Sequence, residues 1–470
     1  MDIVGRKKEI EILKDCYESD KSEFVALYGR RRIGKTFLVK ELFESDFTFY
    51  ATGILNGTRA VQLKSFNRET ARRFGRDSSE AKNWMEAFDN LNSLVEKSTA
   101  GRKVIFLDEI PWMATRNSDF LAGLDYFWNR WASSRKDVLL IICGSAASWI
   151  VDNIVNNTGG LHNRITRQIS LEAFTLKECE EYFISRRIPM TRYQMAEAYM
   201  VFGGIPYYLS LFNAKLSLYQ NIDKMYFSSG AELSNEFENL YRSLFKNADS
   251  YMKIIETIAK KGVGITRDEI SAGSKIKNGG SLTRLLKSLS TSGFVREYKG
   301  YGRAKRDSLY QLVDPFSLFD IHFRSKREEY SRDFWLRFSS TPAHASWSGF
   351  AFEKLCLTHL QEIRKALGIS GVMTSVFSWR GKDADTGVQI DLVIDRGDHV
   401  INLCEIKFSS DEYRIDKQYS AALRAKRSAF VVSTGTRKAV NTTMITTFGL
   451  KRNPYSEEIT SQIVLDDFFE

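Results

Sequence analysis

Cysteine is scarce and dispersed. The five in this 470-residue chain, Cys16, Cys143, Cys179, Cys356 and Cys404, form no CxxC pair and no Cys/His cluster. That excludes a disulfide framework and structural zinc, and it points to a reducing, cytoplasmic setting. Long hydrophobic runs are missing too. The longest, Val138 to Val151, is interrupted by Gly144, Ser145 and Ser148 and is too short to span a bilayer. The first residues, Met1-Asp2-Ile3-Val4-Gly5-Arg6, enter folded-looking sequence at once, so no signal peptide is expected. There is no internal repeat and no low-complexity tract.

What is present is ordinary globular material. Hydrophobic residues make up 43% and charged residues 27%, enough for several cores, and the length suggests two to four domains. The net charge of +10 favours a polyanionic partner only weakly.

One segment is far more specific. Residues 29–36 read Gly29-Arg30-Arg31-Arg32-Ile33-Gly34-Lys35-Thr36, a complete GxxxxGK(S/T) phosphate loop. The apolar run 24–28 before it reads as a buried strand, and 36–42 has helical spacing. A glycine-rich turn between strand and helix aims backbone N–H groups at a phosphate, and the helix N-terminus adds partial positive charge. Lys35 is expected at the β/γ-phosphates of a nucleoside triphosphate such as ATP, and Thr36 on Mg²⁺. A second apolar strand, 104–107, ends in Asp108 and Glu109. Asp108 is placed to position Mg²⁺ and Glu109 to polarise the attacking water. The strand 138–144 leads to Ser145, which either faces the γ-phosphate or is a plain turn serine. Strands near 24–28, 47–52, 104–108 and 138–143 alternate with helical segments, the pattern of a parallel α/β sheet.

These residues resemble a known group. The acid pair with an intervening strand is similar to the additional-strand class of P-loop ATPases. Val4-Gly5-Arg6-Lys7-Lys8-Glu9 resembles the hhGRxxE segment that packs near adenine in AAA+ ATPases. Gly203-Gly204-Ile205-Pro206-Tyr207-Tyr208-Leu209 resembles the GGxPxYL element of their helical lid, which implies a nucleotide-side role for Pro206. Together, residues 1–240 look like the archaeal/bacterial ATPase family of the STAND-related AAA+ branch. That family carries a Gly-Arg pair ahead of the lid. The run Gly160-Leu161-His162-Asn163-Arg164-Ile165-Thr166-Arg167 has Asn163 instead of glycine. The resemblance implies that Arg164 or Arg167 senses the γ-phosphate; the alternative is a solvated helix arginine.

The pattern changes after residue 250. A helix at 251–261, a capping box Thr266-Arg267-Asp268-Glu269, and a helix at 281–290 with Leu282, Leu285, Leu286 and Leu289 on one face come in turn. Strands at 294–298 and 308–313 follow. Three helices and a hairpin make a winged-helix order. Arg284, Lys287, Arg296, Lys299, Arg303, Lys305 and Arg306, with Tyr298 and Tyr301 among them, suggest a surface for duplex DNA; a protein-binding winged helix with a solvated hairpin is the alternative. An aromatic-rich linker, 316–339, is expected next, its aromatics serving domain packing.

A helix is expected from Trp347 to about Leu367. The strands 388–395 and 400–407, joined by a turn at 396–399, read as a hairpin. Asp391 then falls opposite Cys404 or Glu405, and Glu405 shares a face with Lys407. Two carboxylates suit Mg²⁺ or Mn²⁺, and a lysine can offset charge on a phosphodiester. The alternative is a plain same-face ion pair. The D…ExK arrangement resembles the PD-(D/E)xK nuclease superfamily. That resemblance implies a catalytic core of Asp391, Glu405 and Lys407, Glu353 as an additional metal-binding acid, and Gln418 as a helper.

The whole reads as an α/β multidomain protein. Its expected parts are a P-loop AAA+-type ATPase core (1–170), a helical lid (171–245), a winged helix (246–315), a linker (316–339) and a C-terminal α/β restriction-endonuclease-like domain (340–470). The function that follows is ATP-driven control of nucleic-acid binding and Mg-dependent cleavage, with a homo-oligomer as a candidate assembly. The rival is a non-cleaving, ATP-dependent regulatory switch.

Overall fold

The computed structural model describes residues 3–75, 80–156, 161, 163–262, 264–302, 308–329, 333–381 and 388–470. Gly160 and His162 of the segment before the lid, Arg303, Lys305 and Arg306 of the basic run, and Tyr330 lie outside them. The chain divides into two compact units: Met1–Ala173 with Ser243–Lys246, and Phe174–Arg242 with Asn247–Glu470.

The first unit is built on five parallel strands: β1 (Glu23–Gly29), β2 (Phe47–Thr52), β3 (Lys103–Asp108), β4 (Val138–Gly144) and β5 (Arg167–Leu171), in the order β2-β3-β4-β1-β5. Parallel strands need crossover connections, and helices such as Lys35–Phe43, Arg59–Phe74 and Phe120–Arg130 supply them. Helices then cover both faces, which explains why β3 and β4 are buried along their whole length and read as unbroken apolar runs. The core beside the sheet is aromatic: Phe66 meets Trp84 edge-on at 5.3 Å, and Trp84 meets Phe120 at 4.8 Å.

The fifth strand was not anticipated. Val25 of β1 pairs with Arg167, and Gly29 pairs with Leu171. Arg167 therefore enters the sheet at the end away from the phosphate loop. Arg164, exposed and three residues earlier, precedes that entry point.

The second unit carries two sheets. Strands β6 (Ile265–Thr266), β7 (Val295–Tyr298) and β8 (Leu309–Leu312) form an antiparallel sheet of order β6-β8-β7. It follows the helices Ala248–Ala259, Arg267–Ser274 and Gly280–Thr291. Thr266 opens the second of these with a full capping box, its backbone N–H donating to Glu269 Oε2 at 2.7 Å. The larger sheet has the order β13-β12-β11-β10-β9, from β9 (Thr374–Arg380), β10 (Gln389–Arg396), β11 (Val400–Lys407), β12 (Ala439–Thr446) and β13 (Ser461–Val464). The β9–β10–β11 portion is antiparallel; β11, β12 and β13 run parallel, with helix Lys417–Thr434 crossing from β11 to β12.

Three expectations change in this unit. The aromatic segment 316–339, expected as a linker, is helical over much of its length: helices Pro315–Glu329 and Phe334–Phe338 bury Phe316, Phe319, Phe323 and Trp335. Asp223 fixes the second helix by accepting the N–H groups of Trp335 at 2.7 Å and Leu336 at 3.0 Å. The helix expected from Trp347 starts at Pro342, because Thr341 caps it and proline suits a first helical turn; it then breaks at His359 into Pro342–Thr358 and Leu360–Ala366. Finally, the wing is not a free surface. Gly300 bridges Ser378 of β9, the Tyr301 N–H donates to the Ser378 carbonyl at 2.9 Å, and the Tyr301 ring packs on Phe377 and Phe430 at 5.4 and 5.1 Å. Arg296 stacks over Tyr298 at 4.6 Å, and burial pulls its pKa down. Of the segment expected to face DNA, Arg296, Tyr298 and Tyr301 are engaged in these contacts, while Arg284, Lys287 and Lys299 remain exposed.

Gly203 and Gly204 have distinct reasons. Gly203 ends helix Arg192–Phe202 at φ +61, where glycine is unstrained. Gly204 lies against backbone: the Phe174 N–H donates to its carbonyl at 2.7 Å, and a Cβ on Gly204 would stand 1.9 Å from the Phe174 oxygen. Pro206 follows at the first turn of helix Pro206–Ser210.

Candidate functional site

The carboxyl ends of β1, β3 and β4 bring the predicted phosphate-site residues together. The loop Gly29–Thr36 leaves β1 and enters helix Lys35–Phe43 through Gly34 at φ +92. Gly29, at φ +153, passes so close to β5 that a Cβ would meet the Leu171 oxygen at 2.3 Å. Arg32 also turns left-handed, at φ +70, and the Arg6 guanidinium donates to the Ile33 carbonyl at 3.3 Å, tying the GR segment to the loop. No atom lies within 4 Å of a Cβ placed on Gly34, so the mouth of the loop is open.

Lys35 is 5% exposed, and its ammonium donates to the carbonyls of Gly29 at 3.0 Å and Arg30 at 2.6 Å, and to Ser145 Oγ at 3.4 Å. The Thr36 hydroxyl donates to Asp108 Oδ2 at 2.8 Å, while the Glu109 N–H donates to Asp108 Oδ1 at 2.9 Å. Glu109 adopts φ +49, a left-handed conformation that costs a non-glycine residue about 1 kcal/mol or more. In return its carboxylate reaches Ser145: the Ser145 N–H donates to Oε2 at 3.0 Å and the hydroxyl donates to Oε1. A cation, two hydroxyls and two acids thus converge from three adjacent strands. Thr36 and Asp108 supply oxygen donors at one point, a set that suits an octahedral Mg²⁺ carried in on a triphosphate. The ion would neutralise charge on the β- and γ-oxygens.

The second constellation is arranged differently. Leu392 pairs with Cys404, so the same antiparallel register sets Asp391 opposite Glu405. Glu405 and Lys407 share a face, Nζ to Oε1 at 3.2 Å. Glu405 is also held from helix Lys417–Thr434: the Tyr419 hydroxyl donates to Oε1 and the Lys426 ammonium to Oε2, both at 2.8 Å. Burial pushes the Glu405 carboxyl up, but Lys426, Lys407 and these hydrogen bonds outweigh it and leave the pKa below the ordinary value. Glu353 moves the other way, raised to about 7 by burial and by Asp391 nearby. Asp391 accepts a hydrogen bond from Gln389. Lys354, buried beside Glu353, lies 3.8 Å from its carboxylate and 4.7 Å from the Phe350 ring centroid.

Among the described residues, no group of three or more His, Cys, Asp or Glu side chains is placed to hold a metal ion. Glu353, Asp391 and Glu405, expected as a metal-binding set, are neighbours in charge but engaged with cations and amides instead. In this arrangement the Glu405 oxygens are already engaged by Tyr419, Lys426 and Lys407. Gln418, expected as a helper, is exposed. Tyr419 and Lys426 were missed. The available signal was their spacing: seven residues apart on the helix after the ExK strand, they share one face.

The parallel sheet, the glycine-rich loop and the acid pair define a P-loop nucleoside-triphosphatase core of mixed α/β architecture. Residues 3–212 match the family model described as an ATPase domain predominantly from Archaea, which supports ATP binding and hydrolysis. The chain is 24% identical over 388 residues to protein MJECL04 of Methanocaldococcus jannaschii, covering 81% of this chain and 83% of that one. It is 45% identical over 42 residues to the ATP-binding protein MJ0423 of the same organism, 9% of this chain and 71% of that one. Among solved structures, the Walker-type ATPase PABY2304 of Pyrococcus abyssi aligns with a TM-score of 0.48 at 19% identity, covering 68% of this chain and 96% of that one. The ORC2 protein of Aeropyrum pernix, in ADPNP–ADP complexes, aligns with a TM-score of 0.43 at 16% identity, covering 70% and 96%. Both structural alignments are too loose to carry residue roles across. Among the described residues, no helix is long and apolar enough to cross a membrane.

Proposed function

We propose that this chain is an ATP-driven switch: its first unit binds and hydrolyses ATP, and the change of nucleotide state alters how its second unit engages nucleic acid. One observation carries the reading, the convergence of Lys35, Thr36, Asp108, Glu109 and Ser145 at the open end of the phosphate loop. In this reading the backbone of Arg30, Arg31, Arg32, Ile33 and Gly34 cradles the phosphates. Lys35 exchanges loop carbonyls for phosphate oxygens, Glu109 polarises the attacking water, and Ser145 orients Glu109. Pro206, at the start of its short helix, closes toward the nucleotide as part of the lid. The nucleic-acid partner, DNA by preference, meets the exposed Lys275, Lys277 and Arg284 around helix Gly280–Thr291 rather than the docked wing.

The test is ATP turnover and nucleotide binding by the whole chain with and without duplex DNA, wild type against Lys35→Ala. Loss of turnover on a folded background is expected; retained turnover would remove Lys35 from its role.

A second reading is metal-dependent phosphodiester cleavage by the C-terminal unit. The observation favouring it is register: Asp391 faces Glu405, and Lys407 shares the Glu405 face. Plasmid and RNA cleavage with Mg²⁺ or Mn²⁺, wild type against Glu405→Ala and Lys407→Ala, decides it. Cleavage absent from the wild type would eliminate this reading.

A further inference from the structure

We infer that Lys426 is the specificity-determining residue of the C-terminal carboxylate site: it occupies Glu405 as a built-in cation and keeps divalent metal out. The inference rests on the reading that Asp391, Glu405 and Lys407 are the working part of that unit.

The geometry around Glu405 is saturated. Oε2 accepts the Lys426 ammonium at 2.8 Å, while Oε1 receives the Tyr419 hydroxyl at 2.8 Å and the Lys407 ammonium at 3.2 Å. A magnesium or manganese ion needs a carboxylate oxygen directly in its coordination sphere, at about 2.1 Å for magnesium. An ammonium already on Oε2 repels a divalent ion brought to the same oxygen and competes with it for the carboxylate charge. Charge balance points the same way. Glu353, Asp391 and Glu405 stand with Lys354, Lys407 and Lys426, so three acids face three lysines. The cluster offers no net negative field to draw a divalent cation.

Lys426 is also well placed to hold this position. It stands on helix Lys417–Thr434 with Tyr419 and Leu423 on the same face. A shallow recess beside it is lined by Ile390, Leu423 and Thr442 together with Glu405 and Lys426. Lys407 lies in the strand and would accompany a metal or a phosphodiester. Lys426 comes from the helix behind and competes with the metal.

Manganese binding to the nucleotide-free full chain, followed by the electron paramagnetic resonance signal of free Mn²⁺, tests this. The proteins are wild type, Lys426→Ala, Lys426→Met and the double variant Lys426→Ala/Glu405→Gln. Lys426→Met keeps the side-chain volume, so packing is preserved if the alanine variant unfolds. Either Lys426 substitution should tighten one Mn²⁺ site roughly tenfold to a hundredfold, the worth of one hydrogen bond to a charged group. The double variant should return to weak binding. Binding no tighter in both Lys426 variants overturns the inference, as does a double variant that binds as tightly as Lys426→Ala. Plasmid cleavage by the same proteins separates the two questions. Tightened binding without cleavage supports the role of Lys426 and removes the cleavage reading.

Discussion

Ser145 and Glu109 meet across neighbouring strands, the Ser145 N–H donating to Glu109 Oε2 at 3.0 Å and its hydroxyl donating to Oε1. Their contact holds the acid proposed to polarise water against the residue proposed to orient it. Glu109→Gln should lower ATP turnover on the order of 100-fold or more while ATP still binds, because the base is lost and the phosphate cradle is not. Ser145→Ala should cost less in turnover, about tenfold, since the Ser145 N–H still holds Oε2. Steady-state turnover beside calorimetric ATP binding checks both. Equal losses of binding and turnover would contradict the division of roles.

Gly204→Ala should destabilise the second unit by about 3 kcal/mol or more, since the new Cβ would lie 1.9 Å from the Phe174 oxygen and neither backbone can yield without breaking their 2.7 Å hydrogen bond. Gly279→Ala is the control, because its Cβ would meet nothing within 4 Å. Urea unfolding of both variants tests the contrast.

Burial raises the Glu197 carboxyl to about 7 despite the Tyr219 hydroxyl donating to it at 3.1 Å. A carboxyl whose folded pKa exceeds its unfolded value keeps its proton longer when folded. Its stabilisation is complete below about pH 4.5 and is lost as pH rises through 7. The slope should approach about 1.4 kcal/mol per pH unit within that window. Buried His344, whose Nε2 lies 3.9 Å from Glu197, works in the opposite direction: burial lowers its pKa, so acid pH costs stability. The informative quantity is therefore the difference between wild type and Glu197→Gln in urea unfolding at pH 5, 6 and 7. That difference should shift in favour of the glutamine variant as pH rises; a constant difference would contradict the assignment.

Tyr301→Ala should release the wing from β9. Removing a ring packed on Phe377 and Phe430 is expected to cost about 2 kcal/mol. Amide hydrogen exchange should rise in the neighbourhood of Ser378 and in β7, and stay unchanged in the first unit. Unaltered exchange near Ser378 would show that the docking contributes nothing.

The phosphate loop was legible because its chemistry is local. Eight consecutive residues specify the turn, the cation and the hydroxyl, and Asp108 and Glu109 announce themselves by ending an apolar run. The capping box at Thr266 and the first four strands were readable for the same reason: hydrogen bonds three residues apart and continuous burial leave marks in short windows. The strand β5 was not legible because it is only five residues long and two-fifths apolar, too faint to register as a strand. The wing misled in another way. Arg296, Tyr298 and Tyr301 look like a binding surface in composition, and composition does not report what they pack against.

Amino-acid order alone determined the triphosphate cradle, the parallel α/β core and the D…ExK spacing, since each depends on residues near in the chain or on simple periodicity. The three-dimensional fold decided that Arg167 enters the sheet in β5, that Tyr301 of the wing packs on the larger sheet, and that Lys426 and Tyr419 close on Glu405. Those outcomes turn on strand order, register and helix placement, where residues 14 to 142 positions apart meet. Contacts of that span are selected by the free energy of the whole packed domain, and no local pattern encodes them.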